Sequence, residues 1–332
     1  MNRRVDIDAA KGLAILLVVF GHLVARGDPA GVGWYEPLRR AVYAFHMPFF
    51  LYLSGLLAVS PHLALARRAD WGRVAAGRAR RLLVPFFGLG VLVVFGKCLF
   101  LRVMYVDNPP PSLASGLLDL VWHTANSPAL TLWYLFVLYA ATLGTVAVLD
   151  GDARRWPVLL LGALGLSALP VPAFFYADRV AEFLPFFVLG LGAGLLGARW
   201  GAVMDRLWRP ALALFLLGSL VIAVFGLGWP ERVELLVMGP LSMPALHGTL
   251  RHRGAVLGYD PLPLLGRYCF VIYLGNTMCI GLAKGVLLHL CAWDGAHFAP
   301  FAAALMTAGL LGPIALKRTV LCRVKGLDRI TD

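Results

Sequence analysis

Apolar residues along this chain fall in runs of about twenty, separated by short stretches rich in charge, proline and glycine. A helical run of that length crosses about 30 Å of hydrocarbon. The pattern therefore predicts ten membrane-spanning helices, of which the fifth is the shortest and has proline at both ends. Their predicted bounds are residues 9–25, 41–59, 82–101, 128–149, 157–172, 180–198, 210–228, 233–250, 268–290 and 296–316.

The composition excludes an ordinary soluble domain. Of the 332 residues, 60% are hydrophobic and only 14% are charged, whereas a soluble domain carries about 25% charged residues. Long apolar runs also favour helices over the short alternating strands of a membrane β-barrel. We predict an all-α integral membrane protein, a polytopic bundle of about ten transmembrane helices. We expect residues 1–332 to form a single membrane domain without a soluble C-terminal domain.

Basic residues indicate the topology of the predicted bundle. The formal net charge is +12, but the basic residues lie in short clusters between apolar runs, which is typical of topology signals and not of nucleic-acid binding. With the N-terminus inside, 22 of the 30 Lys and Arg residues fall in cytoplasmic segments. We therefore expect both termini in the cytoplasm and a multi-pass protein of a bacterial inner membrane. The five cysteines are scattered singly and predict no metal site.

The first predicted helix contains polar residues that are costly in hydrocarbon. Lys11 and His22 are eleven residues apart, almost three turns, so they share one face at a separation of about 16 Å along the axis. Lys11 is expected near the cytoplasmic surface and His22 in the outer half of the membrane. Asp8 is placed to pair with Lys11 and to cap the helix start. The alternatives are a topology anchor for Lys11 and a helix-bridging histidine for His22.

A second histidine enters the membrane on the next predicted helix, in the segment YAFHMPFFLYLSG. Because this helix runs back toward the cytoplasm, His46 is expected at a depth similar to that of His22. Imidazole titrates near neutral pH and suits proton transfer from a hydroxyl group, so both histidines are candidate general bases. Pro48, Ser54 and Gly55 equally allow a purely architectural role for this segment.

Arginines and aromatic residues predict two further binding sites. Arg78 and Arg81 precede the third predicted helix and share a face if that helix begins early. Their guanidinium groups suit phosphate, although translocation-stopping charges or lipid headgroup contacts are the alternatives. Trp133 and Tyr134 lie near the outer end of the fourth predicted helix. They suit either a stacking wall for a sugar or an interfacial aromatic belt.

Six blocks of the sequence together resemble acyltransferase family 3, a group of membrane proteins that includes O-acetyltransferases of fucose, O-antigen and other surface glycans. The specific part of the resemblance is a basic residue ten positions before a glycine–histidine pair, followed by a histidine–methionine–proline segment. The blocks are IDAAKGLAILLVVFGH, FHMPFFLYLSG, RARRLLVPFF, TLWYLFVLY, FLPFFVLG and LGRYCFVIYLGN.

The resemblance implies transfer of an acetyl or other short acyl group from cytoplasmic acetyl-coenzyme A, or a related acyl-coenzyme A, to a hydroxyl of a cell-surface glycan or its precursor. The expected partners are the lipid bilayer, the acyl donor and the sugar acceptor, with no metal. Whether His22 acts as a general base or as a transient acyl carrier stays open. The expected site comprises His22 and His46 for catalysis, Lys11, Arg78 and Arg81 for the donor, and Asp8, Trp133 and Tyr134 for the acceptor.

Two features depart from the family pattern. Asn276 stands where relatives often have a histidine, so no role is carried over to that position. Many relatives continue into a further helix and a soluble esterase-like domain, whereas we expect a self-contained membrane enzyme here.

Two other functions compete with this hypothesis. One is a polytopic transporter or flippase for a glycan or lipid-linked precursor without acyl-transfer chemistry, because intramembrane Lys and His residues also line translocation paths. The other is a scaffold or lipid-binding membrane protein, which predicts that His22 and Lys11 can be replaced without effect.

Overall fold

The computed structural model describes residues 4–24, 31–59, 66–226, 228–252 and 260–331. Within these ranges the chain forms helices and no β-strand. The α-helices are α1 (Val5–Gly21), α2 (Tyr35–Tyr43), α3 (His46–Ala58), α4 (Trp71–Phe100), α5 (Leu113–Asp119), α6 (Trp133–Leu149), α7 (Trp156–Ala168), α8 (Ala177–Leu196), α9 (Ala198–Phe225), α10 (Glu231–Ser242), α11 (Gly248–His252), α12 (Pro261–Arg267), α13 (Cys269–Leu287), α14 (Phe298–Thr319) and α15 (Lys325–Ile330).

Seven helical segments of the described chain are long and apolar enough to cross a membrane. This confirms a multi-pass, helical membrane protein, whereas the count of ten spans and the cytoplasmic termini stay predictions. The other three predicted spans are shorter or interrupted: α1 has 17 residues, α7 has 13, and a π-helical turn at Met243–His247 separates α10 from α11. The predicted end of the first span, at residue 25, lies outside the described residues.

The chain divides into two compact units. Unit 1 comprises Met1–Phe50 and Gly201–Asp332, and unit 2 comprises Leu51–Trp200. In unit 1, α1 packs along α12, α13 and α14, and α13 packs along α14. In unit 2, α6 packs against α4 and α8, and α7 packs against α8. The expectation of one membrane domain stays a prediction.

Two glycines bring α1 and α12 into backbone contact within unit 1. A Cβ atom on Gly12 would overlap the main-chain carbonyl of Leu262, and a Cβ atom on Gly266 would overlap the carbonyl of Asp8. The two contacts run in opposite directions along the helices, because Gly12 lies one turn after Asp8 on α1 and Leu262 lies one turn before Gly266 on α12. Because any larger residue places atoms where the other main chain lies, this antiparallel crossing requires glycine at both positions.

Unit 2 contains the same arrangement at the crossing of α3 and α8. A Cβ atom on Gly55 would overlap the carbonyl of Phe187, and a Cβ atom on Gly190 would overlap the carbonyl of Tyr52. Gly55 therefore has a packing role, as the architectural interpretation of this segment predicts. Ser54 connects α3 to α6 instead, since its Oγ lies 2.5 Å from the hydroxyl of Tyr134.

The start of α1 differs from the prediction. The helix begins at Val5 with Arg4 in the N-cap position, so the prediction that Asp8 caps the helix is wrong. The helix starts before the apolar run, and Asp8 lies in its first turn, where a carboxylate is favoured by the helix dipole. From there α1 is continuous to Gly21, so Lys11 and His22 keep their separation of about 16 Å along one helix.

A short break precedes the second histidine. Helix α2 ends at Tyr43, two residues form a turn, and α3 begins at His46. Pro48 lies in the first turn of α3, where its missing N–H removes no intrahelical hydrogen bond. The break lets the side chain of His46 sit beside the end of α2.

Candidate active site

Helix α2 holds the C-terminal end of α1. The Tyr35 hydroxyl donates to the carbonyl of Phe20 at 2.7 Å, and the Tyr43 hydroxyl donates to the carbonyl of Gly21 at 2.8 Å. The last carbonyls of a helix lack the N–H of a following turn as a partner. Helix α2 supplies hydroxyl donors to two of these carbonyls. His22, the next residue, is thereby fixed at the end of α1.

Gly21 is required for this contact. A Cβ atom at this position would lie 2.6 Å from Cε1 of Tyr43, so a side chain here would push the tyrosine ring away. The glycine of the glycine–histidine pair therefore has a steric role, because it lets Tyr43 lie against the end of α1 beside His22.

The two candidate catalytic histidines lie in the same cluster. His46 is buried, and its ring stacks on that of Tyr43 with 4.8 Å between centroids. Its Nδ1 lies 3.0 Å from the carbonyl of Val42. Because a carbonyl only accepts, Nδ1 holds the proton in the neutral ring and Nε2 keeps a lone pair. His22, which is partly exposed, is close enough for its charge to act on His46.

Arg39 adds a fixed positive charge to this group. Its Nε and Nη2 atoms each donate to Glu36 at 2.6 Å, and its guanidinium lies 4.9 Å from the centroid of the Tyr43 ring. Its charge also acts on His22. We call His22, Arg39, Tyr43 and His46 the histidine cluster.

Sequence reasoning missed Arg39 and Tyr43, because Arg39 precedes the second predicted span, 41–59, and was given no role beyond topology, and Tyr43 lies inside that span as one of its apolar residues. The available signal was spacing. Glu36, Arg39 and Tyr43 are three and four residues apart, which places them along one face of a helix.

Replacing Tyr43 with phenylalanine is expected to lower the turnover number about three- to tenfold with little change in KM. The ring and its stacking on His46 remain, but the hydrogen bond that fixes the end of α1 is lost. Steady-state kinetics of Tyr43→Phe and of the control Tyr105→Phe, in an exposed loop, measure this effect. Equal turnover numbers in the two variants would show that the hydroxyl does not position His22.

Lys11 and Asp8 lie near the other end of α1. Both charges act on the thiol of Cys269, at the start of α13, so the two residues and the first turn of α13 share one region of unit 1. Lys11 is partly exposed. The structure thus places a basic group and the histidine cluster at opposite ends of the same helix.

Arg78 and Arg81 lie on α4, which belongs to unit 2. The helix begins at Trp71, before the predicted start of the span at residue 82, so the condition under which both arginines share a helix is met. Arg78 is half-buried, Arg81 is exposed, and the charge of Arg81 acts on Arg78. By contrast, Arg68 is held at the end of α6, where its Nε donates to the carbonyl of Ala147 at 2.7 Å.

Trp133 and Tyr134 also lie in unit 2, at the start of α6. Tyr134 is buried and its hydroxyl meets Ser54, so it has a clear packing role. Trp133 is partly exposed; its ring packs on Phe183 with 4.6 Å between centroids, and Arg179 lies 5.9 Å from it.

A second polar cluster, which sequence reasoning also missed, lies in unit 1. His247 is fully buried at the end of the π-helical turn, and its Nε2 is 3.3 Å from Oδ2 of Asp6. Arg4 and Arg251 approach the same oxygen at 3.0 and 3.7 Å. These four residues tie the start of α1 to the π-helical turn. Asp6 and His247 are 241 positions apart, so no local spacing signals the contact.

The described ranges contain no group of three or more His, Cys, Asp or Glu side chains arranged to hold a metal ion. The side chains of the histidine cluster and of Lys11 supply imidazole, guanidinium, ammonium and hydroxyl groups. These groups move protons and stabilise negative charge.

Comparison with known proteins agrees with this chemistry. Residues 4–318 match a family model described as an acyltransferase domain. The chain is 29% identical over 191 residues to nodulation protein NolL of Sinorhizobium fredii, covering 57% of this chain and 48% of that protein. It is 27% identical over 237 residues to nodulation protein NolL of Mesorhizobium japonicum, covering 70% of this chain and 58% of that protein. The matched region thus spans about half the length of these curated relatives. No solved structure matches the chain significantly.

Proposed function

The chain belongs to the membrane acyltransferase family 3, and from this premise we propose that it is an O-acyltransferase of a bacterial inner membrane. In this proposal it moves an acetyl or other short acyl group from cytoplasmic acyl-coenzyme A to a hydroxyl of a cell-surface glycan or its precursor. The observation that carries the proposal is the histidine cluster, in which two imidazoles and a fixed guanidinium lie near the end of α1, close enough for their charges to interact.

The cluster supplies the groups that ester formation needs. As the acceptor oxygen attacks the thioester carbonyl, an imidazole nitrogen takes the hydroxyl proton; the carbon–sulfur bond then breaks and the thiolate takes that proton. Negative charge develops on the carbonyl oxygen before the bond breaks, and Arg39 is the fixed positive charge that opposes it. We assign proton transfer to His22 and His46, of which His46 already keeps Nε2 unprotonated in its neutral form.

We assign the donor to the Lys11 end of α1. Asp8 lies fourteen residues before His22 on a continuous helix, which is about 21 Å. An acceptor hydroxyl that reacts at His22 does not reach that far, so we move Asp8 from the acceptor to the donor end. On α4, Arg78 and Arg81 are our candidates for the phosphates of the donor, because two adjacent guanidinium groups favour an anion.

For the acceptor, we keep Trp133 as the candidate stacking surface, since it is partly exposed and aromatic. Tyr134 is a weaker candidate because its hydroxyl contacts Ser54.

The test uses the purified full-length protein in lipid nanodiscs with isotope-labelled acetyl-coenzyme A. The acceptor probe is envelope polysaccharide from a strain that lacks the protein. We expect free coenzyme A to form and the label to appear on the polysaccharide as an ester that mild alkali removes. Detection by mass spectrometry avoids thiol reagents, which would also react with the chain's own five cysteines.

Absence of thioester consumption would contradict the proposal. In that case, polysaccharide transport into sealed vesicles without acetyl-coenzyme A would favour the transporter alternative. Labelled polysaccharide that survives mild alkali would contradict O-acylation and indicate a different linkage.

A further inference from the structure

A buried amide oxygen lies without a partner in the core of unit 1. Asn276, on α13, is only 1% exposed. Its Nδ2 donates to the carbonyls of Ile272 at 2.9 Å and Tyr273 at 2.8 Å, whereas its Oδ1 has no hydrogen-bond partner in the described chain.

The orientation of this amide is fixed by its own helix. If the nitrogen and oxygen were exchanged, Oδ1 would face two carbonyl oxygens, which only accept hydrogen bonds. The Asn276 amide must therefore present Nδ2 to the helix and Oδ1 away from it. A buried acceptor that lacks a donor is costly and uncommon in native proteins, so the oxygen indicates a donor supplied by a ligand.

The face of α13 that contains Asn276 packs along α1. Seven residues before Asn276, the thiol of Cys269 is close enough to Lys11 and Asp8 for their charges to act on it. Four residues later, Ile280 lies beside Gly309 together with Val19 of α1. Positions 269, 276 and 280 share one face of α13 because they are seven and four residues apart. Asn276 therefore lies beside α1, between the level of Lys11 and the level of Val19.

The position of Asn276 along the direction of α1 can be compared with that of His22. Seven residues of α13 rise about 10 Å from the Lys11 level, whereas His22 is about 16 Å from Lys11. Asn276 is thus about 6 Å short of His22 on this scale, and about 10 Å short when Ile280 is placed level with Val19.

We propose that Oδ1 of Asn276 accepts a hydrogen bond from an amide N–H of the acyl donor's pantetheine arm. The inference rests on the proposed function, which brings the thioester to His22 from the Lys11 end. The two amide nitrogens of the extended arm are about 4 Å and about 9 Å from the sulfur, so one of them lies near the Asn276 level when the thioester is at His22. Asn276 is a binding residue for the donor arm and takes no part in bond breaking.

The experiment compares two donors and three proteins. The donors are S-acetyl-pantetheine and its analogue in which ester oxygens replace both amide nitrogens of the arm. The proteins are the wild type, Asn276→Leu and Ser219→Ala. Ser219 is the matched control because its Oγ is also buried without a partner in the described chain, but on α9.

We expect wild type and Ser219→Ala to prefer the amide donor about tenfold in kcat/KM, the loss that follows from one hydrogen bond. Asn276→Leu is expected to use the two donors equally, to raise KM for the amide donor about tenfold, and to keep KM for the acceptor. The thermal unfolding temperature of ligand-free Asn276→Leu is expected to be no lower than that of wild type, because the substitution removes an unsatisfied group.

Three results would overturn the inference. Equal use of both donors by the wild type would show that no N–H is recognised. A retained amide preference in Asn276→Leu would place the N–H elsewhere and leave the oxygen to a bound water molecule. A change in acceptor KM alone would assign Asn276 to the sugar. A wild-type protein that does not consume acetyl-coenzyme A would instead contradict the proposed function itself.

Discussion

Replacing His22 with alanine is expected to lower the rate of acyl transfer about 10²- to 10⁴-fold, the range for loss of a general base. His22 follows the two carbonyls that Tyr35 and Tyr43 hold, and it lies within reach of the charges of His46 and Arg39. Its removal leaves the main chain of this end intact. The yield of folded protein and its unfolding temperature should therefore stay close to wild type.

The control is His289→Ala, which removes an exposed histidine beyond the end of α13 and is expected to leave the rate unchanged. Rates are measured as release of free coenzyme A from acetyl-coenzyme A with the envelope polysaccharide acceptor. If His22→Ala matched His289→Ala, the catalytic assignment of His22 would be wrong, and His46 would be the remaining imidazole of the cluster.

The same variant separates the two chemical roles of His22. If His22 carries the acyl group, incubation of wild type with labelled acetyl-coenzyme A alone leaves a labile acetyl group on the chain, and His22→Ala does not acquire it. If His22 is a general base, no adduct forms and both substrates must bind before coenzyme A is released.

Spacing along one helix was predictable from the sequence, because it depends only on the regular rise of the helix. Lys11 and His22 were predicted to share a face on the assumption that the first helix is continuous. Helix α1 is continuous from Val5 to Gly21. The start of α4 was less predictable, because the apolar run begins at residue 82, whereas the helix begins at Trp71 and includes Arg78 and Arg81.

Contacts between distant segments were not predictable, since no local pattern encodes them. Asp6 and His247 are 241 positions apart, and the apolar run that contains His247 gave no reason to pair it with the N-terminus. The hydrogen bond from Tyr43 to the end of α1 was missed for a related reason. It depends on the turn at Ala44 and Phe45, which ends α2 inside what was predicted to be one uninterrupted span.

The blocks that resemble the family combine chemistry with packing. Four of them contain a glycine whose missing side chain admits another main chain, namely Gly12, Gly55, Gly190 and Gly266. Recurrence of such blocks is therefore explained partly by helix crossing. The His46 block contains both kinds of residue, because Gly55 makes a helix contact and His46 joins the histidine cluster.

Replacing Gly12 with alanine is expected to destabilise the protein by about 3 kcal/mol. The added Cβ would lie 2.7 Å from the carbonyl carbon of Leu262 and 2.9 Å from its Cα. These are main-chain atoms, which cannot rotate away, so α1 and α12 must separate. The change is measured as a lower unfolding temperature and a smaller monodisperse fraction after detergent extraction.

The matched control is Gly281→Ala on α13, where a Cβ atom would meet nothing within 4 Å. Both substitutions gain the same helix propensity, about 1 kcal/mol, so their difference isolates the steric overlap at the crossing. We expect Gly281→Ala to be as stable as wild type or more so. An unfolding temperature of Gly12→Ala equal to that of Gly281→Ala would show that the crossing tolerates a side chain.

The double variant Gly12→Ala/Gly266→Ala tests whether the two glycines serve one crossing. Gly266 meets the carbonyl of Asp8, one turn from Gly12 on the same helix. A single outward shift of α12 relieves both overlaps, so the two destabilisations are expected to be less than additive. Gly12→Ala combined with Gly190→Ala in unit 2 is expected to be additive, because the second glycine belongs to a different crossing.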